Sequence, residues 1–171
     1  MRLVFDVVVG EDLEEPRPEP DYEALSAATG DFLASAGLDS YPRLRVCLSY
    51  VSENGIRLLN HRYRKMDEPT DVLSFPLWEE EGRFSPPEGW EELPLGDVVL
   101  CPRYIRESAR RENMDYNGEI ILALVHGILH LTGFDHDSEE RKRAMWDAQA
   151  VVVGAYFDRK EETIRGGLMS E

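Results

Sequence analysis

Three of the chain's four histidines fall within eleven residues, His126-Gly127-Ile128-Leu129-His130-Leu131-Thr132-Gly133-Phe134-Asp135-His136. Residues four apart stack on one face of a helix, so His126 and His130 can aim their rings at one point. Gly133 can take the left-handed conformation that ends a helix, and a turn over Phe134 and Asp135 can bring His136 to a third corner. Three neutral imidazoles with a fourth position left open is the pattern of catalytic zinc, whereas structural zinc is usually closed by four protein ligands. The competing reading makes two histidines satisfied core residues and His136 a turn cap. Two imidazoles buried on successive turns would then each need a partner for a ring nitrogen. Metal is the better explanation.

An absence limits the chemistry. In the protease motif His-Glu-x-x-His, a glutamate after the first histidine acts as general base. Here that position is Gly127, so this is not that machine. A water on such a metal can still be acidic enough to supply hydroxide near neutral pH. Phosphodiester, amide and small-molecule hydrolysis all stay open on chemistry alone.

The elements that must hold these residues can be read from periodicity. Leu3, Phe5, Val7 and Val9 alternate in a first strand, and Leu44, Val46, Leu48 and Tyr50 in a second. Between them, Asp21 can cap a helix with apolar positions Leu25, Ala28, Phe32 and Ala36, stopped by Gly37. Ser52 can cap the next helix, with Ile56, Leu59 and Tyr63 as its inward stripe. Residues 70–75 and 95–101 are β-like, and Pro102 suits the first turn of a third helix. Residues 119–131 are apolar nearly all the way round, which predicts a central helix carrying His126 and His130. A last helix is expected from Asp137, with Glu140 completing a capping box and Met145, Ala148, Val152 and Tyr156 packing inward. The expected fold is α+β: a small mixed sheet of about four strands packed with about five helices. Residues 1–158 read as one domain and residues 159–171 as a mobile tail.

Length and composition agree with a single domain. The chain has 171 residues, 42% of them hydrophobic, enough for a real core. It has no run of eighteen apolar residues to span a membrane, and its N-terminus lacks the features of a signal peptide. Cys47 and Cys101 are isolated in β-like runs, so a reducing cytoplasm is the expected setting.

The net charge of −15 looks hostile to nucleic acid. Residues 11–23 hold seven acids against Arg17, however, and residues 79–92 hold six against Arg83. Proline and glycine in both stretches suggest exposed loops. Residues 57–65 carry Arg57, Arg62, Arg64 and Lys65 with no acid, and Arg103, Arg106, Arg110 and Arg111 form a second, diluted basic stretch. An acidic protein can still present a cationic face to phosphate.

Leu59-Asn60, Tyr63-Arg64, Asp67-Glu68-Pro69-Thr70-Asp71-Val72-Leu73-Ser74-Phe75-Pro76 and Leu95-Gly96-Asp97-Val98-Val99, followed by the histidine cluster, resemble the YbeY family in order and content. The resemblance runs from about residue 44 to residue 150. Members are metal-dependent endoribonucleases of bacteria and organelles, linked to ribosomal RNA maturation and ribosome quality control. The resemblance implies a zinc-dependent, single-strand endoribonuclease whose partners are ribosomal RNA and the ribosome or its small subunit. It implies one zinc ion on His126, His130 and His136, with another divalent transition metal as a substitute. It also implies that Arg64 works on RNA phosphate at the catalytic site. Two features depart from the pattern: segment 78–94 is long, and Phe134 stands where tyrosine is common.

Other roles are open. Asp135 and Asp137 flank His136 and could orient a metal-bound imidazole, or serve as turn former and helix cap. Glu119, seven residues before His126, is a weak candidate for proton transfer. Two rival functions remain: a metallohydrolase of another substrate, favoured by a deep narrow pocket, and a non-catalytic ribosome-binding factor with structural metal, favoured by a fourth protein ligand.

Overall fold

Strict alternation buries Leu44, Val46, Leu48 and Tyr50 on one face of a strand. That strand, β2 (Arg43–Tyr50), lies inside the main sheet of the computed structural model, which describes residues 1–168 and side chains through residue 165. β1 (Arg2–Val9) and β6 (Glu92–Leu100) flank β2, both parallel to it, and β3 (Val72–Pro76) runs antiparallel beside β6. The sheet is therefore mixed and four-stranded, in the order β1-β2-β6-β3. Parallel neighbours need a crossover, and α1 (Tyr22–Leu33) supplies the first. Asp21 caps α1 by accepting from the Ala24 amide at 2.9 Å. A π turn over residues 34–38 then passes through Gly37 at φ 101°.

The second crossover carries most of the motif residues. It contains α2 (Glu53–Arg64), β3 and a short hairpin of β4 (Glu79–Glu80) and β5 (Arg83–Phe84). After β6 come α3 (Pro102–Glu112), α4 (Tyr116–Leu131) and α5 (Glu139–Leu168). Helix α4 is the central one. It packs on β3, β6, α3 and α5, and Leu124, Val125, Ile128 and Leu129 are fully buried.

A bulge interrupts β6 inside the sheet, where β3 runs close by. Gly96 has φ +135°, and a Cβ there would stand 2.1 Å from the Phe75 carbonyl oxygen. Only glycine permits that approach. The register of β2 on β6 shifts at the same place, between Arg45 and Val46.

Four expectations need correction. Tyr63 is not inward: it is 56% exposed and meets Phe75 edge-on, while Asn60 takes the buried place with Ile56. Segment 79–92 is not simply loop, since its hairpin lays half-buried Phe84 against Gly133. The α5 cap is Ser138, whose hydroxyl accepts from the Arg141 amide at 3.2 Å, and Asp137 instead pairs with the Arg141 guanidinium at 2.7 Å. Residues expected to start a tail at 159 continue α5 to Leu168, and residues 169–171 lie outside those described. Extending an established helix through Glu, Lys and Arg costs little, even where residues 161–165 are exposed.

Candidate metal centre and its cleft

Asp115 caps α4 by accepting from the Gly118 amide at 2.8 Å. The helix then runs four turns and presents His126 and His130 on one face. Their Nε2 atoms are 3.0 Å apart and their ring centroids 4.5 Å apart. The helix ends where Gly133, at φ +91°, reverses the chain, and the Phe134 amide donates back to the Leu129 carbonyl at 3.2 Å. That turn swings His136 round to place its ring 5.9 Å from His126 and 5.2 Å from His130, centroid to centroid. One ligand atom from each of the three histidines lies within 4.8 Å of the others. A single ion could be held among them. Among the described residues no fourth His, Cys, Asp or Glu joins this group.

The donor set suits a metal in its protonation as well. Burial, followed by the neighbouring His126, pushes the His130 imidazole down to about 4. It is therefore neutral at ordinary pH and has a lone pair to offer. His126 and His130 are half-buried, while His136 is exposed on its turn.

The triad opens into a cleft of about 730 Å³, whose walls include Arg64, Asp71, Glu119 and Gln149. Arg64 is the last residue of α2, and Lys65 ends that helix in the left-handed conformation at φ 60°. Asn60 steadies the loop beyond α2: its amide donates to the Glu68 carbonyl at 2.8 Å, tying down the segment that leads to Asp71 and β3. Arg64 has no carboxylate partner among the described residues. Arg57, from the same basic stretch, is held by Asp67 through two bonds of 2.8 and 3.0 Å. The other basic stretch is partly consumed in structure as well. Arg103 pairs with Glu53 and Glu107, and Arg106 pairs with Glu15 and lies over the Tyr116 ring.

Of the three candidate acids, Glu119 and Asp135 line the cleft. Burial, and then the nearby carboxylates of Glu112, Asp71 and Asp115, hold the Glu119 carboxyl above the usual range. Asp135 accepts from the His136 amide at 2.7 Å but stands 4.0 Å from its Nδ1, so turn forming is its visible work. Asp137 turns away to Arg141, whose guanidinium also donates to the Gly82 and Gly133 carbonyls at 3.3 and 3.1 Å. Arg141 thus ties the β4–β5 hairpin to the turn that carries His136.

Two residues were missed by sequence reasoning. Asn60 lies in a family motif, but its spacing gave it no role. Gln149 carried one signal only, a polar side chain beside the apolar stripe of α5.

Known proteins resemble the chain on both levels. The family described as Endoribonuclease YbeY matches residues 19–156. A protein of that name from Corynebacterium efficiens is 33% identical over 138 residues, covering 80% of this chain and 66% of its own length. Another from Persephonella marina is 36% identical over 124 residues, covering 70% of this chain and 77% of its own. The solution structure of TM1509 from Thermotoga maritima superposes with a TM-score of 0.55 at 27% identity, covering 93% of each chain.

Proposed function

The chain belongs to the endoribonuclease YbeY family, and from that membership and the cleft's chemistry we propose a zinc-dependent, single-strand endoribonuclease of the cytoplasm. Its work is ribosomal RNA processing and ribosome quality control, with ribosomal RNA and the ribosome or its small subunit as partners. The observation that carries this reading is a three-histidine centre sharing one cleft with Arg64, an arginine without a carboxylate partner among the described residues. Three protein donors leave a position for substrate or water, which is what separates catalytic from structural zinc.

When bound, the ion supplies Lewis acidity to a water or a phosphate oxygen. The remaining roles fall to the chain. His126, His130 and His136 hold the ion. Arg64 offers a planar fork of donors to the phosphate and to charge building in the transition state. Glu119, with its carboxyl held above the usual range, is the cleft's group for carrying a proton. Tyr63 and Phe75 both line the cleft, their centroids 5.0 Å apart. An exposed Tyr63 backed by half-buried Phe75 suits the stacking of an unpaired base, which favours single-stranded substrate.

The test is cleavage of a structured ribosomal RNA fragment by purified protein, with and without chelator, and with zinc restored. Cuts confined to single-stranded segments, lost with chelator and lost in His126→Ala, are expected. Undiminished cutting under chelation would refute metal dependence. Intact RNA with the zinc-loaded protein would leave the rival hydrolase, for which the same preparation is offered peptide and phosphodiester substrates.

A further inference from the structure

Helix α5 packs on α4 through the buried side chains of Met145, Ala148 and Val152. Gln149 sits at the edge of that stripe, half-buried, and faces the cleft. Its Oε1 lies 2.6 Å from His126 Nδ1. On the far side of the same ring, Nε2 faces His130 Nε2 at 3.0 Å. The geometry points to Gln149 as a positioning residue of the metal centre: its carbonyl holds His126 in the Nδ1–H form and so keeps the Nε2 lone pair aimed at the ion.

This role rests on the metal reading above and adds the reason one ring is ready for it. A neutral imidazole carries a single N–H, and the hydrogen bond made by one nitrogen decides the state of the other. A carbonyl can only accept, so the proton stays on Nδ1 and Nε2 is left bare. The Nε2 contact agrees, since His130 must then be the donor when no ion is present. Metal-bound histidines commonly depend on such a partner. Among the described residues, His126 is the only ring of the three hydrogen-bonded to a side chain outside the triad. Asp135 is too far from His136 Nδ1, at 4.0 Å, to do the same. The partner here is also uncharged. A carboxylate would orient the ring equally well but would add negative charge beside a site meant to receive phosphate.

The experiment reads the ring before it reads the metal. Two-bond proton–nitrogen NMR spectra of the metal-free protein should show His126 with a protonated Nδ1 and a bare Nε2. In Gln149→Leu, that form should lose ground to the Nε2–H form. Zinc affinity, measured by competition with a chelator, should weaken by about 10- to 100-fold. Gln149→Glu keeps the acceptor and should bind zinc at least as tightly as the native chain. Native affinity in Gln149→Leu, or an Nε2–H form of His126 in the native protein, would overturn the role. If Gln149→Leu fails to fold, the native spectrum and Gln149→Glu decide, and weakened zinc binding in a folded Gln149→Glu counts against it. A native protein that binds no zinc overturns the metal centre instead, a separate result because the tautomer is read without metal.

Discussion

Among the described residues Arg64 closes α2 without a carboxylate partner, whereas Arg57 on the same helix is clamped by Asp67. The difference decides which arginine is free to meet a phosphate. Arg64→Glu is expected to leave melting temperature and zinc content unchanged while RNA cleavage falls by roughly 10²- to 10³-fold, the scale of losing one transition-state donor. Arg64→Lys should recover part of the rate, because it restores charge without the two-point fork. Arg57→Glu is a poor control, since it would also break the pair with Asp67. Arg110→Glu, on the exposed side of α3, serves better. Equal losses in both reversals would reduce Arg64 to diffuse attraction. At the histidines, zinc measured by elemental analysis should fall from about one ion per chain to near zero in His126→Ala and His130→Ala. Unchanged zinc in both would rule out the site.

Among the elements, α4 has the most to hold. It must carry two cleft histidines on one face and bury the rest. Leu124 is fully buried on it, so Leu124→Asp places an unpaired carboxylate in the core and should unfold or aggregate the protein. A soluble variant melting at the native temperature would contradict the central position of the helix. The glycine after the first histidine also finds its explanation at this scale. A Cβ on Gly127 would stand 2.7 Å from Val98 Cγ1 and 3.3 Å from Ser74 Oγ, and the Ser74 hydroxyl already donates to the Gly127 carbonyl at 3.0 Å. This side of α4 lies directly on the sheet. Gly127→Glu should therefore cost the fold and confer no peptidase activity, as thermal melting and a peptide assay would reveal. Gly133 is similarly confined, with Phe84 Cβ 2.8 Å from where its own Cβ would be.

At the scale of the whole molecule, several acids are tied down locally by arginines and a helix N-terminus. Glu92 and Asp6 bind Arg45 across the three strands β1, β2 and β6, Glu15 binds Arg106, and Asp21 caps α1. Among the described residues, Arg64 is the one arginine or lysine lining the cleft. Binding of a short single-stranded oligonucleotide should accordingly show a shallow salt dependence, about −1.4 to −2.1 in log K against log salt, as for two or three phosphate contacts. A much steeper slope would indicate a broad basic track instead. At the other end of the chain, residues 161–165 are exposed. A chain ending at Asp158 loses the surface pair of Arg159 with Asp31, worth little by itself, and should keep its zinc and nearly all of its melting temperature. A large drop in melting temperature would extend the folding unit past residue 158.

The cluster of three histidines was legible because its geometry is local. A four-residue helical step and one glycine turn bring three rings together, whatever surrounds them. Caps at Asp21 and Ser52, the alternation of β2 and the all-round apolarity of α4 were legible for the same reason. Tertiary structure alone decided what depends on distant partners. The crossing of α5 over α4 brings Gln149 to His126, the β6 bulge brings Phe75 over Gly96, and the hairpin sets Phe84 against Gly133. Tyr63 fits the stripe of α2 by spacing, yet it lies beyond the edge of the core, exposed and edge-on to Phe75. Periodicity tells which side of an element is apolar. Which residues then meet is set by crossing angles and strand register, and these depend on the packing of the whole chain.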